Sequence, residues 1–319
     1  MGDVDVRLLD GPPSIPALFA RAVATSRGRR GAAGSLPRHR LVLPGVEQDL
    51  ARLRDYCEVT GDVLGDTVPA TWLHVLTFPL QVRLMADRSF PFAMVGMVHV
   101  ANSMTLHRPV RVAETLVLST WTENLQPHRR GHTVDLCGEV RVQDEVVWEG
   151  RSTYLARSSS SDDQQAEQDR PNPSSEGSDG PVPTAEMARW RLPAGLGRQY
   201  AAVSGDANPI HLTGVTAKAF GFPRAIAHGM WTHARVLAAV RPRVPEVATV
   251  DVQFRKPVLL PSTVVLRGEL EPDGARLAVT DRDGGRLHLT MQVGRAASAT
   301  GTDVDAGEGG TSDAGDGRP

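Results

Sequence analysis

The chain has 319 residues, with 37 acidic and 35 basic side chains and a formal net charge of −2. This length suits two ordinary domains, and the balanced charge argues against a nucleic-acid partner. Two cysteines do not form a disulfide framework, which fits a reducing, cytoplasmic compartment. No apolar run reaches the roughly 18 residues of a membrane span, and the first residues lack the order of a signal peptide.

Composition divides the chain into five segments. Residues 1–40 carry a basic patch and predict a flexible leader. Two segments with apolar periodicity, 41–157 and 185–296, predict folded domains. Between them, 158–184 is rich in Ser, Asp, Gln, Glu, Pro and Gly, and 297–319 is a Gly- and Asp-rich acidic tail. Neither contains enough apolar surface to offset ordering entropy, so both are predicted to be disordered.

The two folded segments repeat each other. Three pairs of short segments match in the same order, namely 56–62 with 200–206, 69–74 with 223–228, and 104–110 with 252–258. A duplicated domain explains this agreement better than chance.

Each half places a helical stretch before several strands. In the first half, strands are predicted at 115–120, 134–140 and 146–148. In the second half, a buried helix at 230–240 precedes alternating apolar residues at 250–254. Further strands are predicted at 263–268, 276–280 and 286–293, the last two joined by an Asp-Gly-Gly turn. The order indicates an α+β fold in which a sheet wraps a helix, twice over; two unrelated α+β domains are the alternative.

Segment 200–211 reads Tyr-Ala-Ala-Val-Ser-Gly-Asp-Ala-Asn-Pro-Ile-His and carries the chemistry. Its Asn-Pro pair favours a turn, so that Asp206 and His211 can face one small reactant such as water. Gly229 begins the predicted helix and offers a backbone N–H to a developing oxyanion. Alone, Asp206 would equally suit a turn cap and His211 a core histidine. Together the three indicate addition or removal of water next to a thioester carbonyl.

This motif, with Phe-Gly-Phe-Pro at 220–223 and Ile-Ala-His-Gly-Met at 226–230, resembles the MaoC-like or (R)-specific enoyl-thioester hydratase family. Over about 40–296 the chain is similar to actinobacterial 3-hydroxyacyl-thioester dehydratases. The resemblance implies a double hotdog in one chain, each sheet wrapped round a long central helix. It implies reversible hydration of trans-2-enoyl thioesters to (R)-3-hydroxyacyl thioesters, carried on CoA or acyl carrier protein. No metal or redox cofactor is expected.

The resemblance also implies roles for individual residues. Asp206 and His211 match the catalytic pair, Gly229 the donor to the thioester oxygen, and Phe254 the pocket lining. Three further residues are predicted to bind substrate or to support the site, namely Asn208 in the bend, His228 beside the donor, and Lys256. Isolated cations are candidates for contacts with carrier phosphates, namely Lys218, Arg224, Arg255 and Lys256.

Two departures from the family pattern stand out. A serine expected eight residues after Gly229 is replaced by Leu237, so Thr232 or His233 would have to support the active-site loop. In the first half, Val75 stands where the second half has Gly229, and residues 64–67 lack the Asn-Pro-Ile-His of 208–211. We predict that the first half is catalytically silent and makes room for the acyl tail.

Two other functions remain open from the sequence. A hotdog thioesterase would hydrolyse the same substrates, and a non-catalytic subunit would bind acyl thioesters or assist assembly. Two hotdogs in one chain can replace the usual homodimer, so both a monomer and a homodimer are consistent with the sequence.

Overall fold

The computed structural model describes residues 5–24, 29, 31, 34–94, 96–157 and 181–296. Most of the predicted linker and the whole predicted tail at 297–319 lie outside these ranges. Within them, no helix combines the length and the hydropathy needed to cross a bilayer.

In its described residues, the first half contains three helices and six strands. In chain order these are β1 (Asp5–Leu8), α1 (Ile15–Ala24), β2 (His39–Val46), α2 (Leu50–Thr60), α3 (Ala70–Met85), β3 (Val98–Leu106), β4 (Leu116–His128), β5 (Gly131–Val142) and β6 (Glu145–Arg157).

The second half repeats this order from β2 onward, with two extra short helices. The elements are β7 (Glu186–Leu192), α4 (Leu196–Ser204), α5 (Pro209–Leu212), α6 (Gly214–Lys218), α7 (Gly229–Val240), β8 (Ala248–Phe254), β9 (Ser262–Glu271), β10 (Gly274–Asp281) and β11 (Leu287–Arg295). A short 3₁₀ turn at Arg241–Arg243 follows α7.

All eleven strands form one sheet in the order β1-β2-β4-β5-β6-β3-β8-β11-β10-β9-β7. The halves contribute β2-β4-β5-β6-β3 and β7-β9-β10-β11-β8, so each of these ten strands has a counterpart at the same place in the other half, and β1 is an additional edge strand beside β2. They join where β3 and β8 pair antiparallel, from Ala101 opposite Gln253 to Leu106 opposite Ala248. The duplication predicted from the sequence is therefore a structural one, and the predicted double-hotdog α+β fold is confirmed.

The central helices α3 and α7 are inside because they are apolar on most faces. Trp72, Leu73 and Leu80 of α3 have no exposed surface, and Val236 of α7 has none. A helix that is apolar on all sides has no polar face to expose to water, so it is buried by the sheet that wraps round it. The main core cluster is continuous across the two halves.

A second apolar cluster lies entirely within the first half. It is rich in Met and Phe and is formed by Ile15, Leu18, Ala22, Phe78, Val82, Met85, Ala86, Phe90, Met94, Met97, Val134, Leu136 and Ala156. Helix α1 packs into it, and Ile15, Leu18 and Ala22 are buried. The prediction of a flexible leader is therefore wrong for residues 5–24, because α1 buries apolar side chains that a solvated leader would expose.

Candidate active site

The turn that presents the site begins where α4 ends. Gly205 adopts the left-handed conformation (φ 80°), and its N–H donates to the Ala201 carbonyl at 2.9 Å. The Asp206 carboxylate then accepts from the Asn208 N–H at 3.2 Å. Asn208 caps the next helix, α5, with Pro209 at its first position. Asn208 thus shapes the predicted bend, and a direct contact between Asn208 and substrate stays a prediction.

His211 is buried and held in one tautomer by the backbone. Its Nδ1 lies 2.9 Å from the carbonyl oxygen of Ile226. Because a carbonyl can only accept, Nδ1 carries the ring proton. The lone pair therefore lies on Nε2, where it is available as a base.

His228 holds the Asp206 turn against helix α7. Its Nε2 lies 2.9 Å from the Asp206 backbone oxygen and 3.8 Å from the Asp206 carboxylate, and its ring stacks on His211 at 3.7 Å. The Thr232 hydroxyl donates to the His228 carbonyl at 3.3 Å. His228 therefore has the loop-orienting hydrogen bond expected for it, and Thr232 supplies a polar contact to the loop.

Burial moves the pKa values of these groups toward one another. It raises the pKa of Asp206, against the opposing effects of His211 and the Asn208 N–H. It lowers the pKa of His211, against the attraction of Asp206, and lowers that of His228 well below its ordinary value. The carboxylate keeps 27 % exposure, so it faces an accessible space although it lies deep in the molecule.

Gly229 is the first residue of α7, so its N–H has no acceptor within the helix. A methyl group at this position would lie 3.0 Å from the Phe254 ring, at the end of β8. Glycine thus lets the ring lie directly against the helix start. The structure therefore brings the predicted donor and the predicted pocket residue into contact.

The predicted phosphate-binding cations are not part of this cluster. Lys218, Arg224 and Lys256 are exposed. The Arg224 guanidinium donates to the Pro261 carbonyl at 3.0 Å, and the Lys256 carbonyl accepts from His288 Nδ1 at 3.0 Å. The contacts of Arg224 and Lys256 are thus with the protein itself, and phosphate binding by these side chains stays a prediction.

Residues of the first half complete the site, and the motif search missed them. His99 on β3 lies 4.9 Å from the Phe254 ring and stacks on Tyr154 of β6 at 4.6 Å. Burial raises the pKa of Tyr154, and the nearby Asp206 carboxylate raises it further. No local pattern marks His99 or Tyr154, because pairing of β3 with β8 is what brings them here.

The site also has the spacing of a metal-binding group. Asp206, His211 and His228 each place one potential ligand atom within 4.8 Å of the others. One nitrogen of each imidazole already lies against a backbone carbonyl. The predicted absence of a metal stays a prediction.

The fold and the site define a class, a double hotdog with an Asp–His pair beside the start of a central helix. Residues 192–281 match the family described as MaoC like domain. The chain is 38% identical over 277 residues to 3-hydroxyacyl-thioester dehydratase X of Mycobacterium tuberculosis, covering 83% of this chain and 95% of that protein. The chain therefore belongs to the MaoC-like dehydratase family.

Solved structures agree with this assignment. A crystal structure of HtdX from Mycobacterium tuberculosis matches with a TM-score of 0.69 and 36% identity, over 80% of this chain and 99% of that one. A MaoC-like dehydratase from Phytophthora capsici shares the fold, with a TM-score of 0.62 at 16% identity, over 83% of this chain and 98% of that one.

Proposed function

We propose that this protein catalyses the reversible hydration of trans-2-enoyl thioesters to (R)-3-hydroxyacyl thioesters, carried on CoA or acyl carrier protein. One observation carries the proposal: the Asp206 carboxylate and the His211 ring lie together beside the free N–H of Gly229. Family membership supports the same reaction.

The Gly229 N–H acts on the thioester carbonyl. Adding water at C3, or removing the C2 proton, builds negative charge on that oxygen. A donor fixed at a helix N-terminus stabilises this charge without reorganising. Because residue 229 has no side chain, the thioester reaches the backbone beside Phe254.

The Asp206–His211 pair moves the protons. In hydration, the water oxygen attacks C3 and one proton passes to Nε2 of His211, while the other hydrogen stays on the oxygen and donates a hydrogen bond to the Asp206 carboxylate, which orients the water. The proton on His211 then passes to C2, so the pair returns to its starting state. Dehydration reverses each step. Both transfers use the same face of the substrate, and no cofactor takes part.

The acyl tail runs from the second half into the first. Phe254 contacts His99, His99 stacks on Tyr154, and Tyr154 packs against the second apolar cluster. Met and Phe side chains adapt to flexible hydrocarbon ligands. This route supports the proposal that the first half binds the acyl tail.

The test is an ultraviolet assay that follows loss of enoyl-thioester absorbance with crotonyl-, octenoyl- and dodecenoyl-CoA. We expect absorbance to fall without release of free thiol, and the Asp206→Asn variant to be inactive. Thiol release would identify a thioesterase. Failure with every CoA ester, followed by failure with the same acyl groups on acyl carrier protein, would indicate a non-catalytic subunit. The cytoplasmic location and the choice between monomer and homodimer stay predictions.

A further inference from the structure

Three histidines from three different elements meet between the central helices. His74 lies on α3, His99 on β3 and His233 on α7. The rings of His74 and His99 are 6.3 Å apart, and His233 is close enough to both to affect their charged forms. His74 and His233 are almost fully buried, at 3 % and 0 % exposure.

These histidines have ring nitrogens without hydrogen bonds. Among the described residues, nothing pairs with Nδ1 of His74, Nε2 of His99, or either nitrogen of His233. A buried polar atom without a partner has lost its hydrogen bonds to water and gained none within the protein, so such atoms are rare in native folds. Four together in one place make this cluster the strongest candidate among the described residues for binding a small polar group.

The occupant has to be both a donor and an acceptor. Burial lowers the pKa of His74 to about 4 and that of His233 to about 3, so both rings are neutral at neutral pH. A neutral imidazole has one N–H and one lone pair, and His233 leaves both unpaired. A hydroxyl group donates and accepts, whereas a keto oxygen only accepts.

A metal ion does not fit this cluster. In the part of the chain that the structure describes, the group with metal-ligand spacing is Asp206, His211 and His228. The three histidines between the helices do not meet that spacing, so the group that suits them is a neutral one that both donates and accepts, either water or an organic hydroxyl.

The cluster borders the route of the acyl tail. His99 is only partly buried and lies 4.9 Å from the Phe254 ring, which in turn lies against Gly229. A thioester held at Gly229 therefore brings its chain past His99 several carbons beyond the reacting bond, before the chain reaches the second apolar cluster.

We propose that the His99 wall, formed by His74, His99 and His233, binds a hydroxyl group on the acyl chain. The substrates would then be enoyl thioesters with an added hydroxyl several carbons from the thioester, in preference to plain hydrocarbon chains. This inference rests on the proposed function. It adds a specificity that the Asp206–His211 pair does not provide, because an unsubstituted chain leaves the imidazoles unpaired.

The experiment compares kcat/KM for octenoyl-CoA with that for its hydroxy derivatives, the hydroxyl moving one carbon at a time from C5 to the chain end. At one position we expect kcat/KM to rise about tenfold or more, and the matching oxo compound to gain less. His99→Phe should remove this preference, whereas His107→Phe, at a histidine just beyond β3 that pairs with Glu149, should leave activity and preference unchanged.

The outcomes separate this inference from the proposed function. Failure to hydrate any of these esters would count against the proposed function. Hydration of octenoyl-CoA with equal or lower kcat/KM for every hydroxy derivative would mean that water alone fills the wall, and would overturn the inference. A preference that survives in His99→Phe would also overturn it. If that variant is unfolded by circular dichroism, His99→Gln and His74→Gln provide the same comparison, and both should weaken the preference.

Discussion

The two halves of this molecule share one backbone architecture and differ in the contacts of one equivalent aspartate carboxylate. Helices α2 and α4 both end at a left-handed glycine, Gly61 or Gly205, and an aspartate follows each. In the first half, Asp62 accepts from the Arg241 guanidinium at 2.8 Å, across the boundary between the halves. In the second half, Asp206 lies beside His211 and His228 instead. The same position forms an ion pair with Arg241 in one half and, in the proposed mechanism, orients the attacking water in the other.

The central helices differ in where they begin. Helix α7 begins at Gly229, directly after His228, whereas α3 begins at Ala70, four residues before the matching His74. The Val75 amide, which matches that of Gly229, therefore lies inside the helix and bonds to a carbonyl of the preceding turn. One additional helical turn removes the oxyanion donor. A difference of one helical turn thus separates a half with the proposed oxyanion donor from a half without it, although both have the same architecture.

The largest expected effect comes from exchanging the two carboxylates for amides. Asp206→Asn should lower kcat for hydration by about 10²–10⁴-fold, because it removes the carboxylate that orients the attacking water beside His211. Asp62→Asn is the matched control, and it should leave kcat unchanged while weakening the pair with Arg241. Steady-state kinetics with circular dichroism measure both, and equal losses of kcat would contradict the difference between the halves.

Alanine at the two equivalent helix positions, Gly229 and Val75, should give the next largest effect. Gly229→Ala places a Cβ 3.0 Å from the Phe254 ring and displaces the donor or the substrate. We expect kcat to fall by about 10²–10³-fold, the cost of losing one oxyanion donor. Val75→Ala should reduce only the free energy of unfolding, because Val75 is buried core. A drop in kcat for Val75→Ala at unchanged fold would show that the first half takes part in the chemistry.

The pH dependence of kcat/KM tests the protonation states that the mechanism assigns to Asp206 and His211. Hydration requires Asp206 ionised and His211 neutral. Burial lowers the pKa of His211, which favours the neutral imidazole at neutral pH, and raises the pKa of Asp206, which narrows the pH range over which the carboxylate is ionised. Acid protonates the pair and removes the base, so kcat/KM should be flat near neutrality and should fall only below about pH 6.5. The two groups titrate as a coupled pair. An acid limb centred above that value, with the fold intact, would contradict this prediction.

The smallest expected effect is that of chelation. The group with metal-ligand spacing belongs to the second half, so a metal requirement would be an alternative reason for the difference between the halves. Dialysis against EDTA should leave kcat and KM unchanged, because the proposed proton transfers use protein groups only. Activity that disappears on dialysis and returns with a divalent cation would contradict this mechanism.

The local rules of the sequence determined the elements and the catalytic segment. Alternating apolar residues identified β8, and a short apolar stretch identified α7. The Asp-Gly-Gly turn has a left-handed Gly284 (φ 78°), and the Asn-Pro pair forms the bend between Asp206 and His211. Each of these features depends on the conformational preferences of residues that are neighbours in the sequence.

Only the tertiary structure decided what surrounds that segment. It pairs Asp62 with Arg241 and places His99 between Phe254 and Tyr154. It also packs Ile15 of α1 so close to Gly205 that a methyl group there would lie 2.5 Å away. These partners are far apart in the chain, and burial shared by both halves brings them together. A pattern confined to one short segment cannot contain that information, because the free energy that selects each contact comes from surfaces the segment meets only after folding.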